Sequence, residues 1–130
     1  MTTIDHLGIA VKDLAIAKQF YEQLGIRVVS EEVVAHEKVK VAMLPIGESR
    51  IELLEATSDD SPVARFIAKR GEGIHHIAVH VADVAVTMKQ MKANGVRFVS
   101  EEIKVGAGGH RYVFIHPSSA GGVLIELCQT

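Results

Sequence analysis

The sequence predicts an α+β domain built from two copies of one β-α-β-β-β module, paired into a single unit. Two observations predict it. Read against itself at an offset of 70, the chain matches His6 with His76, Val11 with Val81, Asp13 with Asp83 and Ala15 with Ala85. Gly25 then falls on Gly95, Arg27 on Arg97, and Val29-Ser30-Glu31-Glu32 on Val99-Ser100-Glu101-Glu102. Chance would supply about two such identities over a segment of this length. The second observation is size. With 130 residues, 48% of them hydrophobic, the chain is one domain with enough apolar residues for a core. The copies are therefore modules, 1–70 and 71–130, of one domain spanning 1–130. Two copies are too few for a solenoid.

Each element has a local reason. Ile4–Val11 alternates, with Leu7, Ile9 and Val11 on one face and His6, Gly8 and Ala10 on the other. Asp13 is a helix N-cap, and Leu14–Leu24 has helical spacing that stops at Gly25. Ile26–Val34 and Val39–Ile46 read as strands around a polar turn at His36-Glu37-Lys38. Gly47-Glu48-Ser49 turns the chain into a fourth strand, Arg50–Glu55. Thr57–Arg70 holds a short helix started by Ser61 and Pro62. The second copy repeats the plan: strand Ile74–Val81, helix Asp83–Asn94, strand Val96–Glu102, a glycine loop 106–109, strand Arg111–His116 and strand Val123–Gln129.

Composition excludes several classes. Fourteen Lys and Arg against sixteen Asp and Glu give a formal charge of −2, which argues against binding nucleic acid by phosphate neutralisation. No apolar run approaches the roughly 18–20 residues of a membrane span. The start, MTTIDHLGIAV, has neither a basic region nor a small-residue cleavage site, so the expectation is a cytoplasmic protein without a signal peptide. The single cysteine, Cys128, rules out an internal disulfide and a cysteine-based zinc site.

The duplication makes equivalent polar residues informative. His6 and His76 each stand on the strand face opposite the apolar stripe. Each module also ends on a strand with a glutamate between apolar neighbours, Ile51-Glu52-Leu53 and Ile125-Glu126-Leu127. A lone histidine on a strand is ordinarily a partly exposed polar residue, and a lone glutamate ordinarily faces solvent. Finding one of each in both copies points instead to a divalent metal site with His6, Glu52, His76 and Glu126 as ligands. Two carboxylates would neutralise such an ion.

At these residues the chain resembles the vicinal oxygen chelate superfamily, and within it the methylmalonyl-CoA epimerases. The matching stretches are Asp5-His6-Leu7-Gly8-Ile9-Ala10-Val11, Gly73-Ile74-His75-His76-Ile77-Ala78-Val79, Asp60-Ser61-Pro62-Val63-Ala64, Lys104 to Arg111, Phe114-Ile115-His116-Pro117 and Gly122 to Leu127. The resemblance implies a glyoxalase-like fold in which paired βαβββ modules form a curved β-sheet cup. It implies one divalent ion (Co²⁺, Zn²⁺, Ni²⁺ or Mn²⁺) held by the same four residues, an acyl-CoA substrate and a homodimer. The reaction implied is α-proton abstraction from methylmalonyl-CoA through a metal-stabilised enolate. Glu126 is then the acid/base, and Glu52 serves the opposite face of the substrate. The alternatives are a glyoxalase I-like lactoylglutathione lyase acting on a glutathione hemithioacetal, and a non-catalytic binding protein. Binding relatives on this scaffold lack the metal ligands. One departure stands out: some epimerases carry a second catalytic glutamate on the third strand, where this chain has Val41 beside Lys40.

The remaining candidates have plainer readings. Lys104 and Arg111 flank the glycine loop and would meet an acyl carboxylate or a CoA phosphate; the loop itself is no P-loop, because no helix with Lys-Ser/Thr follows it. His75 has the opposite parity to His76 and reads as a surface or helix-packing residue. His80 shares the face of His76 but lies about 13 Å along the strand. Cys128 shares the face of Glu126 and reads as packing.

Overall fold

The computed structural model describes residues 2–130, and its element order is that of two βαβββ modules. The first module runs β1 (Thr3–Ala10), α1 (Leu14–Gln23), β2 (Ser30–Val34), β3 (Val39–Ile46) and β4 (Ser49–Ala56). A linking helix, α2 (Pro62–Arg70), follows. The second module runs β5 (Gly73–His80), α3 (Val84–Ala93), β6 (Lys104–Val105), β7 (Arg111–Ile115) and β8 (Ile125–Gln129). By its internal packing the chain groups into two units. One is His6–His75, and the other joins the start of the chain, up to Asp5, to His76–Thr130.

Within His6–His75 the strand order is β2-β3-β4-β1, with β1 and β4 parallel and the rest antiparallel. Parallel neighbours need a crossover, and α1 begins it. Its apolar side packs with Val11, Ala42, Leu44 and Leu53, so one sheet face is the core. In the other unit the order is β5-β8-β7-β6, with β5 and β8 parallel. Val84 and Met88 of α3 pack there on Val113, Ile115 and Leu127. In each unit the sheet face away from this helix carries the candidate residues.

The helix starts follow the sequence. Asp13 accepts from the Ile16 N–H at 3.1 Å and Asp83 from the Val86 N–H at 3.0 Å. Each helix is also tied to its own sheet. The Leu14 N–H donates to the Glu55 carboxylate of β4 at 2.9 Å, and the Val84 N–H donates to the Gln129 side-chain oxygen of β8 at 2.6 Å. Asp13→Ala or Asp83→Ala is expected to cost about 0.5–2 kcal/mol each, read from the urea unfolding midpoint.

Two expected strands are corrected. Ile26–Val34 joins the sheet only in its second half: the Val29 N–H donates to the Met43 carbonyl at 2.9 Å and the strand runs from Ser30. The Ile26 N–H is taken by the Tyr21 carbonyl at 3.0 Å as part of the α1 stop, and Ile26 and Val28 turn into the core. Val96–Glu102 is not a strand. Phe98 makes one isolated bridge to Ile115, and the Ser100 hydroxyl then accepts from the Glu102 N–H at 3.0 Å, bending the chain away from the ladder. The short β6 takes up the pairing two residues later, and β8 starts at Ile125 because the Val123 N–H is used in a turn to the Ala120 carbonyl.

Lys38 sits in the left-handed region at φ 55° and its ammonium donates to the Asp60 carboxylate just ahead of α2. That bond, with a second from the Ser58 hydroxyl at 2.6 Å, pulls the Asp60 carboxyl from 3.8 down to about 2. The folded state thus favours the ionised form. Its contribution is complete above about pH 4, where the unfolded group is also ionised, and is lost as pH falls toward 2. In urea unfolding between pH 5 and pH 2, Lys38→Met should fall less steeply with acid than the wild type.

Candidate metal centre

The site face of the His6–His75 sheet is set by strand parity. On β1, Leu7 and Ile9 point toward α1, so His6, Gly8 and Ala10 point the other way. On β4, Leu53 is in the core, so Glu52 is not. The register pairs Gly8 with Glu52 and His6 with Arg50. Gly8 has no side chain, and the diagonal between His6 and Glu52 is left open. The His6 Nδ1 lies 3.2 Å from Glu52 Oε2, with the residues 4% and 6% exposed. The Arg50 Nη2 is 3.8 Å from the same carboxylate oxygen.

The other unit builds the same pair independently. Ala78 stands opposite Glu126, and His76 lies two residues back on the same face of β5. The His76 Nε2 is 3.4 Å from Glu126 Oε1, with the residues 5% and 8% exposed. Phe114, paired with Glu126 across β7 and β8, meets the His76 ring edge-to-face at 5.4 Å, and Tyr112 meets Phe114 at 5.7 Å. The imidazole is therefore walled by aromatic carbon, which fixes its ring plane and keeps bulk water from it.

Each unit thus holds a buried imidazole against a buried carboxylate. Carboxylates are rarely buried unless a cation accompanies them, because desolvation of the charge is costly. Imidazole nitrogen with carboxylate oxygen is a donor set for a divalent transition ion, and His6, His76 and Glu126 each offer a buried ligand atom. The residues present fit such an ion.

The other predicted residues fall as follows. Lys104 pairs with Tyr112, which shares the face of Glu126, whereas Arg111 is one residue earlier than Tyr112 and stands on the opposite face. Both lie on the short β6–β7 hairpin, whose loop is a tight turn: the Gly106 N–H donates to the His110 carbonyl at 2.9 Å, and Gly108 and Gly109 have φ of 71° and 75°. A Cβ on Gly106 would come within 2.9 Å of the Tyr112 ring, so that ring needs a glycine there. His75 faces away from the pair and stacks edge-to-face on Phe66 of α2 at 5.0 Å; its burial lowers its pKa. Cys128 is buried, with its thiol 3.7 Å from the Val79 carbonyl. Val41 is buried on the Glu52 face, where no carboxylate replaces it, and Glu32 stands opposite it one strand out. Sequence reasoning overlooked Arg50 and Glu32. Arg50 was legible, since it lies two residues before Glu52 on one strand. Glu32 was not, since its face depends on the β2–β3 register.

Comparison with known proteins adds independent findings. Residues 5–114 match the model of the glyoxalase/bleomycin resistance protein/dioxygenase superfamily. The chain is 39% identical over 128 residues to the human mitochondrial methylmalonyl-CoA epimerase, covering 97% of this chain and 73% of that protein. It is 36% identical to the ethylmalonyl-CoA/methylmalonyl-CoA epimerase of Cereibacter sphaeroides, covering 97% and 96%. Among solved structures, a variant of the Streptomyces coelicolor methylmalonyl-CoA epimerase in complex with 2-nitronate-propionyl-CoA is 41% identical, with a TM-score of 0.96 over 100% of this chain and 95% of that one.

Proposed function

This chain belongs to the glyoxalase/bleomycin resistance protein/dioxygenase superfamily, and we infer that its reaction is the epimerisation of methylmalonyl-CoA. The observation that carries the reading is the buried His–Glu contact built twice, at 3.2 and 3.4 Å, in a chain 41% identical to an epimerase solved with an acyl-CoA nitronate. The relatives give no support to the lactoylglutathione lyase reading over this one.

We propose His6, Glu52, His76 and Glu126 as the ligands of one divalent ion, Co²⁺, Zn²⁺, Ni²⁺ or Mn²⁺. The chemistry of these buried imidazoles and carboxylates, present once in each module, supports the reading. When bound there, the ion supplies Lewis-acid charge to the substrate's thioester and carboxylate oxygens. The proton work falls to the protein. Each glutamate has two oxygens, one for ligation and one to turn toward the α-carbon. Glu126 takes the α-proton, which the two flanking carbonyl groups make acidic, and releases it to solvent after turnover; Glu52, carrying a proton taken up from solvent, delivers it to the other face and inverts the centre. Phe114 and Tyr112 beside Glu126 limit water, so the carbanionic carbon is reprotonated by the protein.

Lys104 and Arg111 are assigned to the CoA phosphates at the hairpin edge, with Arg111 reaching around from the other face. The apolar side chains Ile16 and Phe20 of α1 and Leu24 at its C-cap, exposed at four-residue spacing, support a homodimer. We propose a cytoplasmic location, which the bacterial epimerase relative supports; among the described residues no helix is long and apolar enough to cross a membrane.

The test is a parallel incubation of metal-loaded protein in D₂O with methylmalonyl-CoA and with the methylglyoxal–glutathione hemithioacetal. Deuterium at C2 with inversion is expected from the first and no S-lactoylglutathione from the second. The reverse pattern would overturn the reading.

A further inference from the structure

We propose that Arg50 is a specificity-determining residue that recognises the free carboxylate of the acyl-CoA substrate; this rests on the epimerase reading above. The guanidinium is placed by the same strand parity that places Glu52. It stands two residues earlier on β4, opposite His6 in the β1–β4 register, and so flanks both candidate ligands of this unit. Its Nη2 lies 3.8 Å from the Glu52 oxygen that His6 also meets. At that distance the contact is a charge pairing rather than a directed hydrogen bond. The side chain is 27% exposed while that of Glu52 is 9%, and the Arg50 Nε is itself buried, so the guanidinium stands at the edge of the pair, partly withdrawn from solvent.

Among the described strand residues of His6–His75, Arg50 is the one permanently charged cation on this face. Lys40 is on the other face, where it and Lys18 pair with Glu31. A fixed cation beside the ligands of a metal cation works against metal binding through Coulomb repulsion. Beside its pairing with Glu52, the guanidinium is positioned to meet an anion that arrives with the substrate. Two glutamates already cancel the charge of a divalent ion, so a substrate carboxylate would add an uncompensated negative charge. The Arg50 guanidinium supplies the balancing charge, in the planar donor geometry that suits a carboxylate. A thioester without the second carboxylate gains nothing from it.

The test measures binding rather than turnover, by calorimetric titration of metal-loaded wild type, Arg50→Met and Arg50→Lys. The two probes are 2-nitronate-propionyl-CoA, which carries an anionic group where methylmalonyl-CoA carries its carboxylate, and propionyl-CoA, which carries none. Arg50→Met should weaken the nitronate about 10–100-fold, as expected for a hydrogen bond to a charged group. Propionyl-CoA should change less than twofold, and Arg50→Lys should recover part of the loss. Equal weakening of both ligands, or none, would overturn the assignment. Loss of bound metal from both variants would also overturn it, because Arg50 would then be a support for Glu52. A wild type that fails to prefer the nitronate over propionyl-CoA would instead defeat the epimerase reading itself.

Discussion

Glu126→Gln, held at full metal occupancy, is expected to lower kcat by about 10²–10⁴-fold, the usual contribution of a positioned acid or base. The amide matches the carboxylate in shape and can still offer an oxygen to a metal. It cannot accept the α-proton. Excess metal should therefore fail to restore the rate, which separates a proton carrier from a mere ligand. Removing one negative charge also leaves the centre more attractive to a substrate carboxylate, so KM should fall along with kcat. A metal-saturated variant with near-wild-type kcat would remove Glu126 from the proton role. Glu52 and Glu32, the carboxylates on the same sheet face as Val41, would then be the next to test.

His76→Ala is expected to destabilise the metal-free protein markedly, lowering the unfolding free energy by about 1–3 kcal/mol, as when a buried polar group loses a hydrogen-bonding partner. The reason is what stays behind: Glu126, 8% exposed and set against Phe114 in the β7–β8 register, loses the imidazole 3.4 Å from it. Pairing the change with Glu126→Gln should recover part of the loss, because an amide costs less to bury than a carboxylate. Urea unfolding of the single and double variants measures both. An additive double variant would mean that the contact carries no stability of its own.

Much of this arrangement is legible in the amino-acid sequence. Alternation alone puts His6 and Glu52 on the face away from α1, because Leu7, Ile9 and Leu53 claim the core face. The equivalence of the last strands is also visible: Glu52 and Glu126 are 74 residues apart, and so are Glu55 and Gln129, which tie α1 and α3 to their sheets. What fails is decided by hydrogen bonds and strand registers that the alternation of apolar residues does not report. Val96–Glu102 has strand composition, yet the Ser100 hydroxyl diverts it after one bridge. Ile26 has a β-branched side chain, yet its N–H closes the end of α1. Arg111 and Lys104 are grouped by their shared positive charge beside the glycine loop, while the β6–β7 register sends the two to opposite faces.

The most direct test of the central claim, that two separately built His–Glu pairs serve one ion, is the metal content of the protein at saturation. Apo-protein loaded with Co²⁺, freed of excess by gel filtration and measured by plasma mass spectrometry should hold one ion per chain. His6→Ala and His76→Ala should each abolish that single site, although the two residues belong to different units. Two ions per chain, with each variant losing only one, would mean that each pair binds its own metal and would contradict the account.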